Sequence, residues 1–297
     1  MSNRIIRDVE FDYVIVDEAA KATFPELAVS LNKAHKIILV GDHQQLPPVL
    51  DTEIIRNNKE KLDEEGLAQG FFERMYNMFP EDNKHRLTIQ YRMHPTIGTL
   101  ISHVFYNDEI QNGVEAQDRE LCIEGYEGIA IEWISTSKYS TKERYEKEFD
   151  NNGKKSYQNY LERNIVERKL LELDSKLVKR TKVAVITGYG SQKYILQTMV
   201  KQHSFKHIEV DVDTVDAFQG SQKDIILYST VRSSGNKYGI GFLKSEARIN
   251  VAFSRARCLL IIVGDMKFLD NYKIRGNKFP EIIKYITESE GCRIIEK

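Results

Sequence analysis

Short apolar runs alternate with amphipathic segments along the first third of the chain. "FDYVIVD" (11–17) and "KIILVGD" (36–42) have the composition of buried strands, and "FPELAVSLNKA" (24–34) between them has apolar residues at helical spacing. A strand, a helix and a strand within about 35 residues predict a βαβ unit with parallel strands. Further on, the pattern predicts an amphipathic helix over 65–79, a short strand over 85–90 and a helix over 94–107.

A second unit is predicted to begin near residue 115, which gives two domains, 1–114 and 115–297. Its strands are predicted at 128–135, 182–189, 208–213, 224–231 and 258–265, and its helices at 157–177, 191–203 and 245–256. The repeated order of strand and helix indicates an α/β fold whose mostly parallel sheet is flanked by helices.

One long polar segment interrupts this alternation. Residues 135–155 are rich in Lys, Glu, Ser and Asn and offer little apolar surface to offset the entropy of ordering them. We therefore expect an exposed, mobile loop there.

Composition narrows the class of protein. The 297 residues are 41% hydrophobic and 29% charged with a formal net charge of -1, so any nucleic-acid site is a local basic groove and not a global field. The three cysteines have no metal-binding spacing, which favours reduced thiols in the cytoplasm or, in a eukaryote, the nucleus. No apolar run approaches about 18 residues, and no signal-peptide pattern opens the chain, so we expect a soluble intracellular protein with no membrane partner.

Polar clusters follow several predicted strands, where α/β folds bind their ligands. Asp17 and Glu18 end the first strand. A carboxylate in this position can hold Mg²⁺ on a nucleoside triphosphate, and a neighbouring acid can polarise the attacking water. An acid pair that only caps the next turn is equally consistent with these two residues.

The stretch "VGDHQQLPP" places Gln44 and Gln45 just beyond the second strand. A glutamine there can hydrogen-bond a γ-phosphate oxygen and a nucleophilic water. Gly41 permits close approach of the backbone, and two prolines prevent the strand from continuing. Taken alone, the cluster is also compatible with a polar exit turn.

Three further segments carry aromatic, basic or phosphate-binding side chains. "QYRMHP" supplies Tyr91, which can stack on a purine, and Arg92, which can neutralise charge on a transferring phosphoryl group. "NVAFSRAR" supplies Arg255 and Arg257 before a strand, and surface arginines are the alternative reading. The loop in "VDTVDAFQGSQKDIIL" can present amides and hydroxyls to phosphates.

In this order and spacing, the motifs resemble those of superfamily-1B helicases of the nonsense-mediated-decay helicase and senataxin type. "VDEAA" is similar to their second motif, "VGDHQQLPPVL" to the third and "QYRMHP" to the segment that follows. "VITGYGSQKYIL", "VDTVDAFQGSQKDIIL" and "RINVAFSRAR" resemble the fourth, fifth and sixth. The resemblance covers nearly the whole chain after residue 10.

The resemblance implies RecA-like lobes of the P-loop NTPase class, with ATP and Mg²⁺ between them and single-stranded RNA or DNA across their top. It implies these roles: Asp17 holds Mg²⁺, Glu18 activates water, Gln45 senses the γ-phosphate, Tyr91 stacks on adenine, and Arg92 and Arg255 are arginine fingers. Nucleic-acid contacts fall on Tyr189, Thr214 and Gln219. Gln222 stands where the family commonly has a glutamate that contacts the nucleotide, which puts that contact in doubt.

One family element is absent from the printed sequence. No G-x-x-x-x-G-K-[ST] loop occurs, and only 16 residues precede Asp17. We expect a first lobe that is incomplete, a strand "KIILV" with an unpaired apolar edge, and negligible ATP hydrolysis by this chain alone. The alternatives are a non-catalytic nucleic-acid-binding module and a split helicase that takes its P-loop in trans. The sequence does not distinguish an RNA substrate from a DNA substrate, and it does not define the oligomeric state.

Overall fold

A computed structural model describes residues 9–48, 70–151, 154–234 and 239–296. The chain divides into two compact units, residues 1–86 and 87–297. The sequence-based boundary near residue 115 lies inside the second unit, so residues 87–114 pack with the larger unit and not with the smaller one. The assignment of two functional lobes stays a prediction.

The first unit contains the predicted βαβ arrangement. Its elements are β1 (Phe11–Val16), α1 (Phe24–Leu31), β2 (Ala34–Leu39) and α2 (Phe71–Met78). β1 and β2 pair in parallel, as predicted. A capping box between Thr23 and Glu26 starts α1, because Glu26 Oε2 accepts from the backbone N–H of Thr23 at 2.7 Å. Residues 65–69 of the helix predicted over 65–79 lie outside the described residues.

The two faces of the small sheet differ in their covering. Val16 and Leu39 pack toward buried Leu27 of α1. Ile15 pairs with Ile38 in the register, so both point to the opposite face, where they are 66% and 47% exposed. Within the described residues β2 pairs only with β1, which agrees with the expected unpaired edge.

The second unit is built on a six-stranded sheet in the order β12-β5-β11-β10-β8-β9, and all its strand pairs are parallel. These strands are β5 (Ile131–Ser135), β8 (Thr181–Thr187), β9 (Ile208–Thr214), β10 (Lys223–Ser229), β11 (Ala256–Gly264) and β12 (Cys292–Glu296). The first five match the predicted strands; β12, at one edge of the sheet, was not predicted. Two short strands, β3 (Ile89–Gln90) and β4 (Gln111–Asn112), pair separately.

Helices flank this sheet and bury a continuous apolar core. They are α3 (Pro95–Phe105), α4 (Thr141–Arg144), α5 (Tyr160–Lys176), α6 (Gly190–Val200), α7 (Glu246–Phe253), α8 (Met266–Asn271) and α9 (Phe279–Glu288). Pro95 occupies the first position of α3, as predicted. Within the described part of the chain, no helix is both long and apolar enough to cross a bilayer.

The polar segment predicted as a loop over 135–155 contains regular structure, so that prediction is wrong. α4 is followed by β6 (Lys147–Asn151) and β7 (Lys154–Gln158), which form an antiparallel hairpin. The hairpin is held by a polar contact and by aromatic packing: the Ser191 N–H at the start of α6 donates to Ser156 Oγ at 3.1 Å, and buried Tyr157 of β7 packs against Tyr189. Glu146, whose side chain is fully buried, lies 3.2 Å from Arg232 Nε.

A buried carboxyl group joins α5 to the carboxyl end of β10. Glu162 Oε2 accepts from Ser229 Oγ at 2.6 Å and from the Val231 N–H at 2.9 Å. Val231 has φ of 70°, a left-handed conformation that is strained for a β-branched residue. Burial raises the pKa of Glu162 to about 8, and the hydrogen bonds oppose this rise only in part.

The exposed apolar face of the small sheet should drive self-association. The double variant Ile15→Thr/Ile38→Thr should dimerise at least about tenfold more weakly than the wild type, because burying one Ile side chain contributes about 1.5–3 kcal/mol. Sedimentation equilibrium measures the constant. Val29→Thr on α1, which removes a similarly exposed side chain (62%), is the matched control and should leave association unchanged. Equal association of all three proteins would contradict the prediction.

The raised pKa of Glu162 predicts a pH-dependent stability. The folded unit retains a proton that the unfolded chain loses above its ordinary pKa, so the stability from this group is complete at low pH and falls as pH rises toward 8. Between about pH 5 and 8, the wild type should therefore lose stability relative to Glu162→Gln, which cannot ionise. Trp133, the single tryptophan and fully buried, reports unfolding by fluorescence.

Exposed Glu290→Gln is the control and should follow the wild-type pH curve. If the curves of Glu162→Gln and the wild type run parallel, then Glu162 is ionised in the folded unit.

Candidate functional site

The predicted nucleotide residues of the first unit lie at one edge of its sheet. The backbone N–H of Val40 donates to Val16 O at 2.9 Å, and the N–H of Ala19 donates to Val40 O at 2.8 Å, so the ends of β1 and β2 are adjacent. Asp17 and Glu18 follow β1 and are exposed. The backbone of Glu18 adopts the left-handed conformation with φ of 54°, and its N–H donates to Asp17 Oδ1 at 2.9 Å. Both carboxylates therefore leave the sheet at a sharp turn.

The glutamine cluster after β2 is organised by Asp42. Its Oδ2 accepts from Gln45 Nε2 at 2.8 Å, and its Oδ1 accepts from the N–H of Gln44 at 3.0 Å. Gly41 is required here, because a Cβ at this position would lie 2.7 Å from the backbone nitrogen of Ala20. The aspartate thus holds the Gln45 amide in the turn that follows β2, the strand that pairs with β1.

The donor chemistry of this edge fits Mg²⁺ bound to a nucleotide. The described residues contain no group of three or more His, Cys, Asp or Glu side chains able to hold a metal by themselves. Mg²⁺ in nucleotide sites takes one or two carboxylates and completes its shell with phosphates and water. One exposed carboxylate at the end of β1, that of Asp17, meets this requirement.

The structure brings the two predicted arginine fingers together at the end of α7. Arg92 Nη1 donates to Ser254 O at 3.2 Å, and Arg255 Nη2 donates to Ser254 Oγ at 3.2 Å. Arg255 is 2% exposed and also donates from Nε to Val251 O at 3.1 Å. Arg92 and Ser254 are more than 160 residues apart in the sequence, yet Arg92 and Arg255 both contact this serine.

Arg119 positions the segment before α3 and was not predicted from the sequence. Its Nη2 donates to Tyr91 O at 2.6 Å and its Nε donates to Arg92 O at 2.9 Å. The Gln90 side chain adds to this by accepting from the N–H of Arg92 at 2.9 Å. The Tyr91 ring remains 63% exposed and available for stacking. Arg119 stands in a polar stretch without a motif, so no sequence signal identifies it.

The predicted nucleotide and nucleic-acid residues of the second unit occupy opposite edges of its sheet. Gln222 and Arg255 directly precede β10 and β11, and the Lys223 N–H donates to Arg255 O at 3.1 Å. Tyr189 follows β8, and Thr214 ends β9. Because all these strands are parallel, the first pair lies at the amino edge and the second at the carboxyl edge.

The other arginine of this segment, Arg257, is engaged with a neighbouring strand. Its Nη1 donates to Asp224 Oδ1 at 3.0 Å. The surface-arginine interpretation therefore describes Arg257, while Arg255 is buried.

The three predicted nucleic-acid residues differ in accessibility. Thr214 and Gln219 are partly exposed, and within the described residues Gln219 Oε1 has no hydrogen-bond partner. Tyr189 is 3% exposed, so its ring has no open face for a base in this structure. Burial raises the pKa of Tyr189 to about 12. The assignment of contacts to these three residues stays a prediction.

Comparison with known proteins gives consistent matches. A family described as "AAA domain" matches residues 67–267, and another with that description matches residues 1–53. The chain is 36% identical over 273 residues to a regulator of nonsense transcripts 1 homolog of Neurospora crassa, covering 90% of this chain and 24% of that protein. It is 36% identical over 292 residues to the ATP-dependent helicase NAM7 of Saccharomyces cerevisiae, covering 97% of this chain and 28% of that protein.

Among solved structures, the PRRSV helicase is similar with a TM-score of 0.40 and 17% identity, covering 84% of this chain and 34% of that one. The chain spans about a quarter of the length of the two curated relatives, 24% and 28%.

The parallel sheet flanked by helices, with polar and charged side chains at its two edges, defines an α/β protein. Within that class, the match over residues 67–267 shows that the chain belongs to the AAA domain family. The resemblance to helicases of the nonsense-mediated-decay type, inferred from the motifs, is confirmed by the relatives.

The buried setting of Arg255 predicts a structural cost on its removal. Arg255→Ala should lower the free energy of unfolding of the second unit by about 1–3 kcal/mol. The reason is that Val251 O and Ser254 Oγ, which accept hydrogen bonds from Arg255, would stay inside the protein without this donor. Unfolding followed by Trp133 fluorescence should shift by roughly 2–4 °C per kcal/mol. Arg92→Ala, at a partly exposed position, is the matched variant and should shift the transition less. A larger shift for Arg92→Ala would contradict the burial argument.

Proposed function

We propose that this chain is part of an ATP-dependent helicase that couples ATP hydrolysis to translocation on single-stranded RNA or DNA. The observation that carries this proposal is the shared edge of β1 and β2, where the Asp17–Glu18 turn follows one strand and the Gln45 amide held by Asp42 follows the other. Two carboxylates and a fixed amide are the groups that metal-assisted phosphoanhydride hydrolysis uses. The family and the relatives support the same activity.

In the first unit, three residues have separate tasks. Asp17 would hold Mg²⁺, which when bound neutralises charge on the phosphate oxygens. Glu18 accepts the proton of the attacking water from its exposed position after β1. Gln45 hydrogen-bonds the γ-phosphate or the water, and Asp42 limits the orientations that its amide can adopt.

In the second unit, the amino edge of the sheet supplies cationic and aromatic groups for the nucleotide. Arg92 and Arg255 act as arginine fingers, since a guanidinium can form two parallel hydrogen bonds to phosphate oxygens. The exposed Tyr91 ring stacks on adenine. Gln222 is exposed before β10, and its amide hydrogen-bonds the nucleotide at the position where the helicases that the motifs resemble commonly have a glutamate.

Single-stranded nucleic acid is the proposed partner of the carboxyl edge of that sheet. Thr214 and Gln219 contact its phosphates and sugars through hydroxyl and amide groups. Such contacts accept RNA and DNA alike unless a 2′-hydroxyl is read. The relatives named as regulators of nonsense transcripts support RNA as the first substrate to test. We place the protein inside the cell, where ATP and the nucleic acid are available.

The 297-residue sequence lacks the P-loop, which binds the phosphates in nucleotide hydrolases of this class. No G-x-x-x-x-G-K-[ST] pattern occurs among the 297 residues. We propose that another segment, in cis or in trans, supplies the backbone amides and the lysine that position the β- and γ-phosphates.

The purified 297-residue chain should hydrolyse ATP at a negligible rate, because positioning of the phosphates provides most of the catalysis in this chemistry. A longer chain that includes a P-loop should show turnover stimulated by single-stranded nucleic acid. In that longer chain, Glu18→Gln should lower kcat by about 10²–10⁴-fold, the usual contribution of a general base. Phosphate release measures the rate.

Glu10→Gln, a nearby exposed carboxylate before β1, is the control and should leave kcat unchanged. Robust turnover by the 297-residue chain that Glu18→Gln abolishes would show that the P-loop is dispensable and overturn this part of the proposal.

A further inference from the structure

An exposed aromatic side chain lies at the carboxyl edge of the large sheet, where no motif identified one. Phe242 belongs to the 3₁₀ turn Gly241–Lys244 and is 44% exposed. It packs on Tyr189, with ring centroids 5.3 Å apart and planes inclined by 60°. Phe242 therefore occupies the surface position that the sequence assigned to Tyr189.

The packing of Phe242 on Tyr189 depends on a glycine beside the contact. A Cβ at Gly188, directly after β8, would make only an ordinary van der Waals contact with the Phe242 Cβ, at 3.4 Å. Gly241 has φ of +57°, and a Cβ at this residue would collide with the Tyr189 hydroxyl group. From behind, Tyr157 supports Tyr189 edge-on, with centroids 5.4 Å apart. The exposed ring thus rests on a buried aromatic base.

A cation lies over the same ring and connects it with the predicted phosphate-binding loop. The Arg248 guanidinium carbon is 4.9 Å from the Phe242 ring centroid. Arg248 Nη2 and Nε donate to Asp216 Oδ1 and Oδ2 at 3.2 Å and 3.4 Å. Asp216 lies between Thr214 and Gln219, so this ion pair joins the aromatic surface to the segment that carries both predicted contact residues.

We propose that Phe242, with Arg248 stacked over its ring, is the surface on which a base of the bound single strand stacks. This inference rests on the proposed function and adds a residue for the substrate. A planar π surface beside a cation suits a nucleobase, and because every base has a π face, such stacking tolerates any sequence, as translocation requires.

The geometry also separates two kinds of contact along one strand. Thr214 and Gln219 offer groups for the backbone, whereas Phe242 offers only a ring. The contribution of Phe242 to the binding affinity should consequently depend on the presence of bases and not on the charge of the strand.

The test compares two strands of equal length and charge, oligodeoxythymidylate and the same backbone with abasic sites. Phe242→Leu keeps an apolar cover over Tyr189 but removes the aromatic face. It should weaken binding of the thymidylate strand by about 5-fold to 150-fold, the range for loss of one stacked base, and leave binding of the abasic strand unchanged. Fluorescence anisotropy of labelled strands measures both affinities, and oligouridylate repeats the comparison with the ribose sugar.

The second variant, Phe242→Trp, gives a direct signal of stacking. Its affinity for thymidylate should equal or exceed that of the wild type, and its emission should be quenched by the thymidylate strand but not by the abasic one. The native Trp133 is fully buried and supplies a constant background. Leu171→Ala on α5, at a position with the same 44% exposure, is the matched control and should bind both strands as the wild type does.

The outcomes distinguish this proposal from the proposed function. If the wild type binds neither strand, nucleic-acid binding by this chain fails and the stacking surface fails with it. If the wild type binds both but Phe242→Leu weakens neither, or weakens them equally, then Phe242 is not a stacking residue while nucleic-acid binding stands. A melting temperature of Phe242→Leu equal to that of the wild type excludes unfolding as the cause of any loss.

Discussion

The parallel direction of six hydrogen-bonded strands is the constraint on which the second unit depends. Parallel pairing from β12 to β9 gives the sheet one amino edge and one carboxyl edge, and each crossing segment must return over a face. Arg255 before β11 and Tyr189 after β8 are consequently held about a strand length apart, roughly 20 Å for a strand of seven residues. A signal from one edge to the other must therefore pass through the strands and the helices packed on them.

Buried polar groups at the carboxyl edge give this sheet a rigid end. Glu162 holds the hydroxyl of Ser229 and the N–H of Val231, and Gln192 Nε2 donates to Ser229 Oγ at 3.1 Å. These bonds fix the left-handed backbone at Val231, which a β-branched residue would not adopt without support. The turn that carries Phe242 lies further along the chain from this strained exit.

The sequence predicts those features whose cause is local. The βαβ order from Phe11 to Leu39, the strands of the large sheet up to β11 and the helix that begins at Pro95 follow from periodicity, and the structure confirms them. The hairpin β6–β7 was missed because its stability comes from contacts distant in sequence, such as the bond from Ser191 to Ser156. β12 was missed because it is a five-residue segment with two charged residues, and its pairing with β5 is a long-range contact that such a segment does not reveal.

The same distinction holds for the candidate sites. Motif order identifies Tyr91 and Arg92 by residue type, but the side chains that hold their backbone leave no mark in a motif. Arg119, which donates to two backbone carbonyl groups before α3, is one example. Tyr189 is the converse: its motif position suggests contact with a ligand, whereas an aromatic residue more than 50 positions away covers its ring. Exposure is a property of the packed chain, and only the structure assigns it.

The burial of Arg255 bears on the role of arginine finger that we propose for it. A guanidinium free in solvent would have to be ordered during the reaction, whereas this one is already bonded to Val251 O and Ser254 Oγ. Groups that are oriented before charge develops need no reorganisation at the transition state. Electrostatic catalysis is effective because this reorganisation cost is avoided. Arg92 is partly exposed and donates to the carbonyl group of the same Ser254. In the proposed nucleotide site, the two fingers would therefore be a buried cation and a partly exposed one that share contacts with a single serine.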